Sequence, residues 1–254
     1  LLKGYGLIKR FSEDIDFKLA LSDAFLAKSG NQRRNILGGF RNALGAAWAA
    51  AGFTVTKVEA RDANGFLKFE MDYPTSLEPH GSLRPHILAE ISAKPPRLPV
   101  QHRPLSSFVT QYRREPSEVE SIACVDPVET AADKLSAFTW RMLTRDRRLE
   151  DDDATIVRHL HDLAALEAAA SAHPDFPALL EAVLIDDSKR GGGAVAELGP
   201  ADRLAAMRAR LADDPLYADE YARFVGGMAF AGESEVPGFE EATAAVARLC
   251  ARLD

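Results

Sequence analysis

The run Asp126-Pro127-Val128-Glu129 divides this chain into two kinds of sequence. An aspartate that can cap, a proline at the first helical position and a carboxylate in the first turn make a strong helix start. Beyond it, Val128, Ala131, Leu135, Phe138 and Met142 recur at helical spacing, and Ile156, Val157, Leu160, Leu163 and Ala164 form a second stripe. Further helices are expected over 176–184, 203–211, 217–225 and 239–253. Before the division the period is mixed. Over 11–21, Ile15, Phe17, Leu19 and Leu21 alternate with other residues, which is the two-residue period of a strand. A helix is expected over 31–51, a β-hairpin over 53–73 around Asn64-Gly65, and strands over 85–92 and 105–112. The pattern predicts an α+β chain, with a mixed sheet and its helices in residues 1–125 and a helical domain in 126–254. Arg190-Gly191-Gly192-Gly193 has no strand before it and no Gly-Lys-Ser/Thr after it, so it reads as a connector and not a phosphate loop.

Charge and composition narrow the function classes. A net charge of −7 over 254 residues repels polyanions from most of the surface, so nucleic-acid contact has to be local. Between Glu90 and Glu115 the chain carries Lys94, Arg97, Arg103, Arg113 and Arg114 and no acidic residue, which makes this stretch either such a contact or a solvated loop. No apolar run approaches the roughly 20 residues that cross a bilayer, and the start lacks a secretory pattern, so a soluble cytoplasmic protein is expected. Cys124 and Cys250 have no partner spacing for a disulfide framework or a zinc site.

The chemistry-bearing residues begin with Asp14 and Asp16 in Ser12-Glu13-Asp14-Ile15-Asp16-Phe17. On a strand, positions i and i+2 point to one face, so the two carboxylates can share a hard divalent cation, Mg²⁺ or Mn²⁺, completed by substrate phosphates. The alternative is an Asp-x-Asp at an exposed strand edge. Glu90, amid Leu88, Ala89 and Ile91, is a third candidate acid, or one half of a buried salt bridge. In the helical half, Lys134 and Arg141 lie seven residues apart on one face and can meet a triphosphate. Asp162 can orient Lys134 or hold the nucleotide, although a lysine and an aspartate on helices are otherwise solvated. His159 and His161 diverge around a helix at i, i+2 spacing, which argues against a histidine metal site.

Tyr5-Gly6-Leu7-Ile8-Lys9-Arg10-Phe11-Ser12-Glu13-Asp14-Ile15-Asp16 resembles the signature of AbiEii/AbiGii-type toxins, which include the MenT nucleotidyltransferases of bacterial toxin–antitoxin pairs. The likeness continues through Glu90-Ile91-Ser92, Asp133-Lys134-Leu135-Ser136-Ala137-Phe138 and His161-Asp162-Leu163. The resemblance implies a polymerase-β-like nucleotidyltransferase core with a helical domain behind it. Asp14 and Asp16 match its metal-binding acids, Ser12 its nearby serine, Lys134 its lysine and Asp162 its final aspartate. It also implies a nucleoside triphosphate substrate, in some members a tRNA 3′ end as acceptor, and a cognate antitoxin. The family carries a Gly-Gly-Thr/Ser motif that would hold phosphates about a helix-length before the acid pair; here Leu1-Leu2-Lys3-Gly4 runs directly into Tyr5-Gly6, so the motif is either lost or belongs to residues missing between Gly4 and Tyr5.

The expected activity is transfer of a nucleotide to an RNA acceptor, with Asp14, Asp16 and Glu90 at the metal and Lys134, with Arg141, on the phosphates. Ser12 falls beside the nucleotide, and the basic stretch is the RNA contact. Two alternatives remain at this point: modification of a protein hydroxyl, as on the antitoxin, and a lapsed enzyme that only binds its partner.

Overall fold

The alternation around the acid pair forms a strand in the computed structural model, which describes residues 1–12, 14–74, 86–150, 152–190, 192–232 and 235–253. In order, the elements are α1 (Leu2–Tyr5), β1 (Asp14–Lys18), α2 (Asp23–Leu26), α3 (Gly30–Ala50), β2 (Thr54–Arg61), β3 (Phe66–Asp72), β4 (Ile87–Ser92), β5 (Gln101–Leu105), α4 (Phe108–Arg113) and β6 (Val119–Cys124). There follow α5 (Pro127–Thr144), α6 (Arg158–Ala172), α7 (Phe176–Arg190), α8 (Ala194–Glu197), α9 (Pro200–Asp213), α10 (Leu216–Met228) and α11 (Phe239–Cys250). The expected α+β class, a mixed sheet with helices and then helices alone, is what the chain adopts. It forms two compact units, one of residues Ser12–Pro96 and one of Leu1–Phe11 with Arg97–Asp254. Residues 97–125 thus belong with the helices, ahead of the period change at residue 126.

In the first unit the strands run in the order β1-β4-β3-β2, with β1 parallel to β4 and the other pairs antiparallel. The period-2 alternation decides which face is dry. Leu67, Phe69, Met71, Ala89 and Ile91 are buried together, with Leu44 and Trp48 of α3 packed against them. The indole of Trp48 meets Phe69 edge-on at 4.8 Å between centroids. α3 is set by a capping box, Ser29 accepting from the amide of Gln32 while the Gln32 side chain accepts from the amide of Ser29.

The hairpin joins β2 to β3 as expected, but by a different turn. Asp62, Ala63 and Asn64 are all left-handed, at φ of 51°, 53° and 68°, while Gly65 is right-handed. Glycine is required there for closeness and not for its φ, because a Cβ would stand 2.9 Å from the carbonyl oxygen of Asp62. The strand expected over 85–92 is β4, and Pro85 lies outside the described residues. Gly191 of the expected connector lies outside them too.

In the second unit the Asp126 side chain accepts from the amide of Val128 at 2.8 Å and starts α5. The stripe from Val128 to Met142 is wholly buried, against Leu160 and Leu163 of α6, Leu180 of α7, Met207 of α9 and Leu249 of α11. The strand expected over 105–112 is a correction. Leu105 ends β5, and Ser107 caps α4 by accepting from the amide of Thr110 at 3.1 Å. Leu105, Phe108, Val109 and Tyr112 are spaced as on a helix, and the serine cap supplies the start that a strand would not need. β5 pairs with β6, which the sequence reading did not anticipate. No helix among the described residues is long and apolar enough to cross a membrane.

Phe69 is 1% exposed beneath Trp48, so Phe69→Ala should destabilise its unit by about 3 to 5 kcal/mol. Urea unfolding followed by Trp48 fluorescence, with Trp140→Phe as background, measures it; an unshifted midpoint would contradict the packing described.

Candidate active site

The acid row lies on the polar face of the four-stranded sheet. Because β1 and β4 are parallel with Asp14 beside Leu88 and Asp16 beside Glu90, the three acids share one face. On β3 the neighbour of Glu90 is Lys68, and on β2 the neighbour of Lys68 is Glu59. Ala89 and Ile91 turn the other way into the core, while Glu90, on the opposite face beside buried Leu88, stays half-buried and not enclosed. Asp16 is exposed, while Asp14 and Glu90 are half-buried. Farther along this face Lys57 and Arg61 each approach Glu59 to 2.8 Å, and those hydrogen bonds, with the Lys57 charge, hold its pKa down to about 2. The exposed Ser12 hydroxyl donates to the carbonyl of Asp14 at 3.5 Å.

These donors suit a hard cation. Carboxylate oxygens on adjacent strands are what Mg²⁺ or Mn²⁺ takes alongside phosphate oxygens and water. Among the described residues no three or more His, Cys, Asp and Glu side chains are grouped closely enough to hold a metal ion by themselves.

The helical unit holds a second cluster, centred on Asp162 of α6, which has no solvent exposure. Arg10 donates to both its oxygens, Nε at 2.8 Å and Nη2 at 2.7 Å, and the ammonium of Lys134 on α5 stands 2.9 Å away. Burial alone would raise the pKa of Asp162; the charges of Lys134 and Arg10 and a hydrogen bond from His161 outweigh it and hold the carboxyl well below its ordinary value. Arg10 is itself fixed, by a β-bridge to Ala229 and by donation from Nη1 to the carbonyl of Phe11 at 2.7 Å. Lys134 keeps 22% of its side chain exposed. Its head is therefore oriented by a buried anion while part of it still reaches solvent.

Arg10 was not singled out by the sequence reading, since its partner lies 152 residues away. The available signal was the buried-helix position of Asp162, which demands a cation. Arg141 is half-exposed and lies 3.7 Å from Asp153, which also accepts from Arg158 at 2.8 Å. Buried His159 is kept neutral, its pKa lowered by desolvation first and by the charges of Lys134, Arg158 and Arg141 after it. The basic stretch divides between the two units. Lys94 belongs to the sheet unit and the four arginines to the other. Arg97 pairs with Asp186 and donates its amide to Glu129 at 2.7 Å. Arg103 lies 4.9 Å over the ring of Tyr5, Arg113 lies 3.9 Å from Glu115, and Arg114 ends α4.

Asp162 has a folded-state pKa below its unfolded value of about 3.9, so its contribution to stability is complete above about pH 5. It is lost as pH falls from that unfolded value toward the folded one. Asp162→Asn leaves two cations without their anion and should cost about 3 to 5 kcal/mol at pH 7. The gap to wild type should narrow below pH 4, and urea unfolding read through Trp140 at the two pH values checks both effects.

A family model described as "Nucleotidyl transferase AbiEii toxin, Type IV TA system" matches residues 1–245. Among solved structures, "MenT4, nucleotidyltransferase toxin Rv2826c from Mycobacterium tuberculosis H37Rv" aligns at 15% identity over 100% of this chain and 82% of that one, with a TM-score of 0.41. No curated protein matches the chain.

Proposed function

The chain belongs to the AbiEii family of nucleotidyltransferase toxins, and from that premise we propose that it transfers a nucleotide from a nucleoside triphosphate to the 3′ end of tRNA, with a divalent cation held by Asp14 and Asp16. The observation that carries the reading is the register of β1 on β4, which sets Glu90 beside Asp16 on the face that Asp14 shares. Such a row is the donor set of metal-assisted phosphoryl chemistry.

Mg²⁺, when bound, would supply neutralisation of the charge that develops as the phosphates depart. Asp14 and Asp16 would hold it, and Glu90 would add the third carboxylate. The acceptor 3′-hydroxyl oxygen forms a bond to the α-phosphorus, the bond from that phosphorus to pyrophosphate breaks, and the hydroxyl proton passes to water. Lys134, with its head fixed by Asp162, offers its charge to the departing phosphates, and Arg141 adds a second cation. Ser12 hydrogen-bonds the nucleotide. Lys94, Arg97, Arg103, Arg113 and Arg114 meet acceptor phosphates, so binding weakens as salt rises. A toxin of this family is paired with an antitoxin, and we place the reaction in the cytoplasm, where tRNA and nucleoside triphosphates meet.

Incubation of the protein with total tRNA, Mg²⁺ and each labelled nucleoside triphosphate in turn tests this. Label should enter tRNA, and Asp14→Ala or Asp16→Ala should lower the rate by at least about a hundredfold with the fold intact. Label on a protein and on no RNA would replace the acceptor with a protein hydroxyl. Lys134→Ala should raise the KM for the triphosphate far more than Lys94→Ala does, since a partly buried, oriented ammonium loses less to solvent. Equal small effects in steady-state kinetics would remove Lys134 from that role.

A further inference from the structure

Three phenylalanines of the helical unit stand together at its surface. Phe11, Phe108 and Phe230 are 38%, 40% and 43% exposed, and their ring centroids lie 6.0, 5.4 and 5.3 Å apart, each pair edge to face. None is loosely held. The amide of Phe11 donates to Met228 at 2.9 Å and that of Phe230 to Lys9 at 3.1 Å, on either side of the Arg10 to Ala229 bridge, and Phe108 opens α4 directly after its serine cap. Three large rings fixed in contact and left wet form a patch of the kind that marks an interaction surface.

The chemistry around the rings indicates what they meet. The ammonium of Lys3 lies 3.1 Å from the centre of the Phe108 ring. One turn along α4 from Phe108, Tyr112 is 89% exposed, and Arg113 and Arg114 close the same helix. The nearby carboxylate of Glu118 is turned back into the turn, accepting from the amide of Ser107 at 2.5 Å. Aromatic surfaces edged by cations, on a chain of net charge −7, fit bases that need a stacking partner and phosphates that need neutralising.

We propose that Phe11, Phe108 and Phe230, extended by Tyr112 and edged by Lys3 and Arg113, form a stacking platform for the unpaired bases of single-stranded RNA. The platform rests on the acceptor reading above and specifies how the acceptor's single-stranded end is held. Phe11 stands three residues before Asp14 in the chain.

The test is binding of a fluorescein-labelled, unstructured ten-nucleotide RNA to the full chain by anisotropy, without nucleotide and over a salt series, beside a blunt duplex of the same sequence. Wild type should bind the single strand more tightly than the duplex. Phe108→Leu and Phe230→Leu keep apolar bulk and remove the ring; each should weaken single-strand binding about five-fold or more with an unchanged salt slope. Tyr112→Ala, too exposed to disturb folding, should weaken it several-fold. Lys3→Ala with Arg113→Ala should flatten the salt slope by about 1.4. Ring and Tyr112 variants that bind like wild type, a wild type that prefers the duplex, or no binding at all would each overturn the platform. If the ring variants lose RNA while wild type labels no RNA in the transfer assay, the platform stands and the acceptor reading fails alone.

Discussion

A carboxylate removed from solvent has to be matched by positive charge, and in the helical unit Asp162 imposes that demand on two distant pieces of chain. It draws the guanidinium of Arg10 from the first turns of the sequence and the ammonium of Lys134 from α5. Residues 1–11 are thereby incorporated among the helices, and the Arg10 to Ala229 bridge fastens them. Apolar residues of equal size would often be as stable in such a place, so the arrangement is better understood as fixing position than as adding stability. The position it fixes is that of the Lys134 head.

The sheet unit obeys a different constraint. Its pleat sends alternate residues to opposite faces, and α3 can cover only one of them. Every residue that would be costly to bury has to share the other face, which brings Asp14, Asp16 and Glu90 into a row on two neighbouring strands. The apolar character of β4 and the acidity of its one charged position are thus two consequences of the same register.

What could be read in the sequence followed local signals. The helix start at Asp126-Pro127, the α5 stripe and the side shared by Asp14 and Asp16 all depend on neighbours within a few positions, and each is present as expected. Arg10 was invisible because its meaning lies in a residue 152 positions away. The stretch over 105–112 is apolar enough to suggest a strand, but its four apolar residues stand at helical spacing and the Ser107 cap supplies the start of α4. The exposure of Phe108 and Tyr112 could not be anticipated either, since spacing tells which residues share a face but not whether anything covers it. The Asn64-Gly65 signal located the turn, while the left-handed residues 62–64 and the close approach at Gly65 are visible only in the structure.

The account turns on one claim, that the acid row of β1 and β4 binds a divalent cation for nucleotidyl transfer. Manganese binding, followed by electron paramagnetic resonance as Mn²⁺ is titrated into the protein with a non-hydrolysable nucleoside triphosphate present, tests that claim without relying on an acceptor. The account predicts a bound ion in wild type whose affinity falls about tenfold or more in Asp14→Asn and in Asp16→Asn, and less in Glu59→Gln on the same face. Equal Mn²⁺ affinity in wild type and in both aspartate variants would contradict it.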